Sequence, residues 1–314
     1  MQKAIICAGL LTALVSIPVD AAFLSEGGES LGHIEATKDR LSTARMEELV
    51  ARPMSLVEAK GLAAGQQAFE QDVSTARQRY GERSVEVADL LTSFGVNLYI
   101  LGLDRDDLQL KQASLAYLEA AIPAYRASFG AAHPEVAVAL NSYADVEIAL
   151  QKDDPPANAE AALEEAYRIR VAALGPDHAE TRSSLFSLAE LKGDPARTQG
   201  DAKRIAAAAE LFVQLISITP NQPELGMESA PLRRFALAQM YAENGMGNEA
   251  ADEARLALQQ MEAWPPSDRC FIANFEILRL AGALAENGND ELARTMTDGK
   301  EFERMIACAN QDDA

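Results

Sequence analysis

Three histidines, three cysteines and a few acidic groupings are the residues of this chain from which chemistry could be built. His133 and His178 stand at matching points just before new helical stretches. An imidazole there caps or packs a helix start, and no serine or cysteine stands in a motif relation to either, so structural use is expected. His33 has no such setting. Asp104, Asp106 and Asp107 have the spacing of the start of a calcium loop, but the glycine and the bidentate acid that complete such a loop are missing. They read as solvated loop acids. Gly245-Met246-Gly247 lacks the third glycine and the preceding strand of a dinucleotide fingerprint and reads as a turn. Glu164 and Glu165 could pair as acid and base, yet with 48 Asp plus Glu in the chain two neighbours single out no site. No converging catalytic set emerges, so no enzyme activity, metal or cofactor is expected.

The cysteines depend on compartment. Residues 1–22 read MQKAIICAGLLTALVSIPVDAA, with Lys3, an apolar run over 4–18 and small residues after it. This is the layout of a cleavable secretory signal, too short to span a bilayer, with the cut expected after Ala21. Cys7 precedes most of the apolar run, the wrong side for lipid attachment. The protein is expected to be exported, periplasmic or extracellular, with no stable membrane anchor after cleavage. Cys270 and Cys308 would remain, too few for a zinc site. An oxidising compartment permits a disulfide between them, and packing as small apolar residues is the alternative.

Net charge is -20, which repels nucleic-acid phosphates and anionic membrane surfaces. The composition, 48% hydrophobic and 24% charged, is that of a folded protein. A polar stretch over 22–52, with Gly27-Gly28, reads as a flexible leader, followed by a helical segment over 53–80 and a tail over 309–314. From Leu56 onward Ala, Leu, Glu, Gln and Arg run between interruptions of Gly, Pro, Asn and Asp, without sustained two-residue alternation. The expected fold class is all-α.

The elements that must position any site are repeats. Tyr80-Gly81, Phe129-Gly130 and Leu174-Gly175 each end a helix and lead through a short polar connection into another, with the glycines at spacings of 49 and 45 residues. Pro134 suits a first helical turn. Each following helix has two large residues and a small one on one face: Leu91, Phe94, Gly95; Leu140, Tyr143, Ala144; Leu185, Leu188, Ala189. The small residue lets the next helix approach. Ser114, Leu118, Ala121 and Ala159, Leu163, Ala166 mark the second helices. Two further copies carry an identical Ala-Glu-Asn-Gly, at 242–245 and 285–288, 43 residues apart. A long connection after Lys192 and a weak second helix are expected in the third copy.

These residues resemble the tetratricopeptide repeat (TPR) family over roughly residues 81–300. The first three copies are similar to its longer, kinesin-light-chain-like variety, with Phe129-Gly130 through His133-Pro134 to Ala144 the nearest match. The first copy has Ser84-Val85 in place of His-Pro, and the third lacks the proline. The resemblance implies a right-handed superhelix of stacked antiparallel helix pairs, about five repeats with flanking helices over 81–308. It also implies a concave groove lined by the first helix of each pair. Setting the small residue at the eighth position puts Thr92 and Val96, Asn141 and Asp145, Phe186 and Glu190, Phe235 and Gln239, Leu278 and Gly282 in that groove. No Lys or Arg is among them, so a clamp for a terminal carboxylate is not supported. The expected function is an exported scaffold or adaptor whose groove binds a protein or peptide with apolar anchors and positive charge. The alternatives are a structural accessory subunit of a cell-envelope or secretion assembly, and a hydrolase without a recognisable motif.

Overall fold

Helices ended by glycines and begun by short polar residues account for the architecture. The structure, a computed structural model, describes residues 43–150 and 157–298. Every regular element among the described residues is helical, and the chain divides into two compact units, one ending at Ala131 and the other starting at Ala132. The signal-like segment, the expected cleavage point, most of the leader, Cys308 and the tail lie outside the described residues.

The first unit contains α1 (Thr43–Lys60), α2 (Leu62–Tyr80), α3 (Val85–Asp104) and α4 (Leu108–Phe129). Here α1 pairs with α2 and α3 with α4, and α3 also lies against the first pair. Its centre is aromatic: Phe69 stacks on Phe94 with ring centroids 4.0 Å apart, and Tyr117 meets both edge-on. Gly95 is where α3 and α4 touch, since a Cβ there would come within 3.1 Å of Leu118 and 3.2 Å of the Ser114 carbonyl. Helix α3 is long and apolar enough to cross a membrane, but most of that surface is buried in this core. The leader expected to run to residue 52 is instead helical from Thr43, because Met46, Val50 and Val57 bury one apolar face.

The second unit contains α5 (Pro134–Leu150), α6 (Ala157–Leu174), α7 (Ala179–Gly193), the single turn α8 (Pro195–Thr198), α9 (Ala202–Ile218), α10 (Ala230–Glu243), α11 (Gly247–Gln260), α12 (Pro266–Glu286) and α13 (Asp290–Asp298). Short 3-10 turns cover Pro223–Glu228 and Met261–Ala263. The pairs are α5 with α6, α7 with α9, α10 with α11 and α12 with α13; α6 leans on α7, α9 on α10, and α10 on α12. Helix α9 is stronger than its sequence setting suggests. Asp201 caps it by accepting from the Lys203 and Arg204 N–H groups, and Ile205, Ala208, Phe212 and Leu215 bury its apolar face.

Both histidines in the connections act at helix starts. Nδ1 of His133 accepts from the Glu135 N–H at 3.2 Å, and Nδ1 of His178 from the Glu180 N–H at 3.3 Å. The repeated Ala-Glu-Asn-Gly is a helix stop used twice. Asn244 and Asn287 each donate a side-chain amide to the carbonyl four residues back, Met240 at 2.8 Å and Ala283 at 2.9 Å. Gly245 and Gly288 then take φ of 76° and 79°, and the next N–H returns to the Tyr241 or Leu284 carbonyl at 2.8 Å.

Candidate functional site

In the second unit, charged side chains that are largely withdrawn from water gather on the first helices α5, α7, α10 and α12. Arg182, Phe186 and Glu190 lie four residues apart on α7, so they form one stripe along that helix. Phe186 is half-buried, meets Phe212 of α9 edge-on at 6.2 Å, and carries the Arg233 guanidinium of α10 over its ring at 3.7 Å from the centroid. Such stacking attracts a cation to the negative ring face.

Asp145 on α5 and Glu190 have no hydrogen bond or ion pair among the described residues. Burial pushes both carboxyls up to about 7, against the pull of the Arg170 guanidinium on Asp145 and of Arg233 and Arg279 on Glu190. Glu243 and Asp145 add to the rise at Glu190, so charges on α5, α10 and α12 all act on this one carboxyl of α7. Burial also raises Glu243 and Glu276. Glu276 is paired to Arg279 at 2.8 Å.

Two cations in this region differ in how they are held. Arg170 is 5% exposed and well supplied: its Nη1 donates to Ser184 Oγ at 2.7 Å and to the Glu180 carbonyl at 3.0 Å, and its Nε lies 3.3 Å from the Glu180 carboxylate. Arg233 is 7% exposed and has no hydrogen bond or ion pair among the described residues. Burial lowers its pKa; Glu190 and Glu228 oppose that, and the Arg182 charge adds to it.

The groove residues expected from the repeat register divide accordingly. Asp145, Phe186 and Glu190 belong to the charged face just described. Asn141 is drawn into the structural network, its Oδ1 accepting from Ser184 Oγ at 3.2 Å. Gln239 donates to Glu243 at 3.0 Å, while its own carbonyl oxygen is buried without a partner. Phe235 is corrected: it is 1% exposed and sits in the core cluster with Leu258, Met261, Trp264 and Ile277, because α10 is covered by both α11 and α12. Leu278 is 63% exposed, beside the exposed Phe275 on α12, and Gly282 is also exposed. Thr92 and Val96 are half-buried in the first unit, the Thr92 hydroxyl without a partner. Cys270 lies on α12, and Cys308, its expected disulfide partner, lies outside the described residues.

The arginines are what the register missed. Arg182 and Arg233 stand outside its fifth and ninth positions, yet a long side chain reaches the face those positions define. The absence of Lys and Arg from the predicted groove therefore does not describe the face itself. Among the described residues no group of three or more His, Cys, Asp or Glu converges to hold a metal. No protein-family model matches the chain, and no curated protein is significantly similar to it.

Proposed function

We propose that the chain is an exported, tetratricopeptide-like scaffold that binds a protein or peptide segment along the first helices of its second unit. One observation carries this reading: Asp145 and Glu190 occupy corresponding places on consecutive first helices, half-buried and without a hydrogen bond or ion pair among the described residues, and Glu190 lies one helical turn from the half-buried Phe186 ring. Desolvated, unpaired carboxylates are costly to a fold unless something else supplies their charge partner. A basic side chain of a bound segment would do so, and Phe186 gives an apolar residue a place to pack. Helical pairs that stack through small residues supply a rigid frame for such a face, with no reaction required.

The test is selection from a random peptide pool on the immobilised protein. Recovered sequences should be enriched in Lys or Arg next to an apolar residue, and Asp145→Asn combined with Glu190→Gln should abolish the basic enrichment. A pool no different from that recovered on an unrelated helical protein contradicts the reading.

A further inference from the structure

Buried arginines normally end on an acceptor, since a guanidinium presents five N–H donors and loses its hydration on burial. Arg170 follows that rule with Ser184 and Glu180. Arg233, almost equally buried, has only the Phe186 ring beneath its guanidinium. Two carboxylates draw on it through space, Glu190 of α7 and Glu228, and neither closes an ion pair with it. Glu228 is the last residue of the 3-10 turn that leads into α10, it is half-buried, and its carboxylate has no hydrogen bond or ion pair among the described residues. Arg233 stands in the first turn of the helix that follows. A cation and an anion of one short stretch of chain are therefore both unpaired, and a flexible arginine stem is long enough to turn from the ring to the carboxylate. Arg182, also buried, adds a push: its charge acts against Arg233, and its own acceptor, the Asp177 carbonyl, is neutral.

We propose that Arg233 is a latch: in the unbound protein its guanidinium covers the Phe186 ring, and the arriving segment turns it off the ring and onto Glu228. The inference rests on the binding reading above and adds a regulation to it. A basic side chain directed to Glu190 and an apolar one packed on Phe186 both need the space that the Arg233 guanidinium holds when stacked. A cation over a ring and a partly exposed ion pair are each modest interactions, so the two placements of Arg233 lie close in energy and a ligand can shift the balance. Phe212, edge-on to Phe186, keeps the ring in place when the guanidinium leaves. The closed placement lowers the apparent affinity by the fraction of molecules that are open, so anything that favours release strengthens binding.

A peptide selected from the random pool on the wild-type protein is titrated by calorimetry into wild type, Arg233→Gln, Glu228→Gln and the double variant. Arg233→Gln should bind about fivefold more tightly, because the latch is gone, and Glu228→Gln about threefold more weakly, because the open placement has lost its partner. In the Arg233→Gln background the Glu228→Gln change should have no effect, since Glu228 acts only through Arg233. Unchanged or weaker binding by Arg233→Gln overturns the latch and leaves the binding reading standing. Tightening by Arg233→Gln with no effect of Glu228→Gln is charge removal beside Glu190 alone and also overturns it. Equal weakening by Glu228→Gln in both backgrounds makes Glu228 a direct contact of the peptide, which overturns the latch as well. A pool without any enriched peptide overturns the binding reading and the latch with it. Should Arg233→Gln not fold, the side-chain resonances of Arg233 are followed in the wild type by nuclear magnetic resonance. Stacking on Phe186 shifts them upfield; loss of that shift at peptide saturation supports the latch, and its retention overturns it.

Discussion

The Arg233 guanidinium on α10 lies 3.7 Å from the centroid of the Phe186 ring on α7, a contact between the first helices of adjacent pairs. Phe186 meets Phe212 edge-on as well, so its ring is held between a cation and an aromatic edge and keeps only part of its surface exposed. A ring fixed in this way is already ordered for a contact, which lowers the entropic cost of using it.

The two phenylalanines at the same repeat position should therefore separate by stability. Phe235→Ala empties a fully buried site in the α10, α11 and α12 cluster and should cost about 3 to 5 kcal/mol. Phe186→Ala removes a half-buried ring and should cost about 1 kcal/mol. Urea unfolding monitored by far-ultraviolet dichroism measures both; equal losses would mean that Phe186 is as much core as Phe235.

Ala144 and Ala189 are fully buried. Leucine at either position forces added methylenes into a filled seam, at a cost of about 1 to 3 kcal/mol. Serine should be tolerated better at both. Thermal unfolding of the four variants should rank them by added volume, and unchanged melting of both leucine variants would contradict the close approach of helices at these residues.

Stability should fall as pH rises through 7. Asp145 and Glu190 have folded pKa values of about 7, above their ordinary 3.8 and 4.5, so folding favours the protonated form. Their contribution is fully present below the ordinary values and is lost as pH climbs through the folded ones. Glu243 and Glu276, raised by burial, act in the same direction. Asp145→Asn and Glu190→Gln should each stabilise the protein at about pH 8 by about 1 to 3 kcal/mol and have little effect at about pH 4, the gain limited because both side chains keep an edge on solvent. Denaturant midpoints across that range give the test. Stabilisation by these variants that is the same at both ends of the range would mean that the carboxyls do not titrate near neutrality.

Much of the frame is legible in the residues themselves. Gly81, Gly130 and Gly175 all take positive φ at the ends of helices, and His133 and His178 receive N–H groups where the connections require a cap. Local chemistry decides these, so they are readable from a few neighbours. The face of Phe235 is not local: its spacing to Ala238 equals that of Phe186 to Ala189, and only the extra cover from α12 sends it into the core. Arg182 and Arg233 escape a register of side-chain positions because their reach spans more than one turn. Helix α1 was hidden by the weak apolar signal between residues 43 and 52, which becomes amphipathic only against the neighbouring helices of its unit.

The central claim, that segment binding uses the Phe186 face of the second unit, is tested most directly by one affinity. A peptide enriched by the wild-type protein is titrated by calorimetry into wild type and into Phe186→Ala, with helicity checked in both. Loss of the ring should weaken binding at least about tenfold, close to 1.4 kcal/mol, with the helical dichroism intact. Equal affinity for the two folded proteins would contradict the account and remove the binding site from α7.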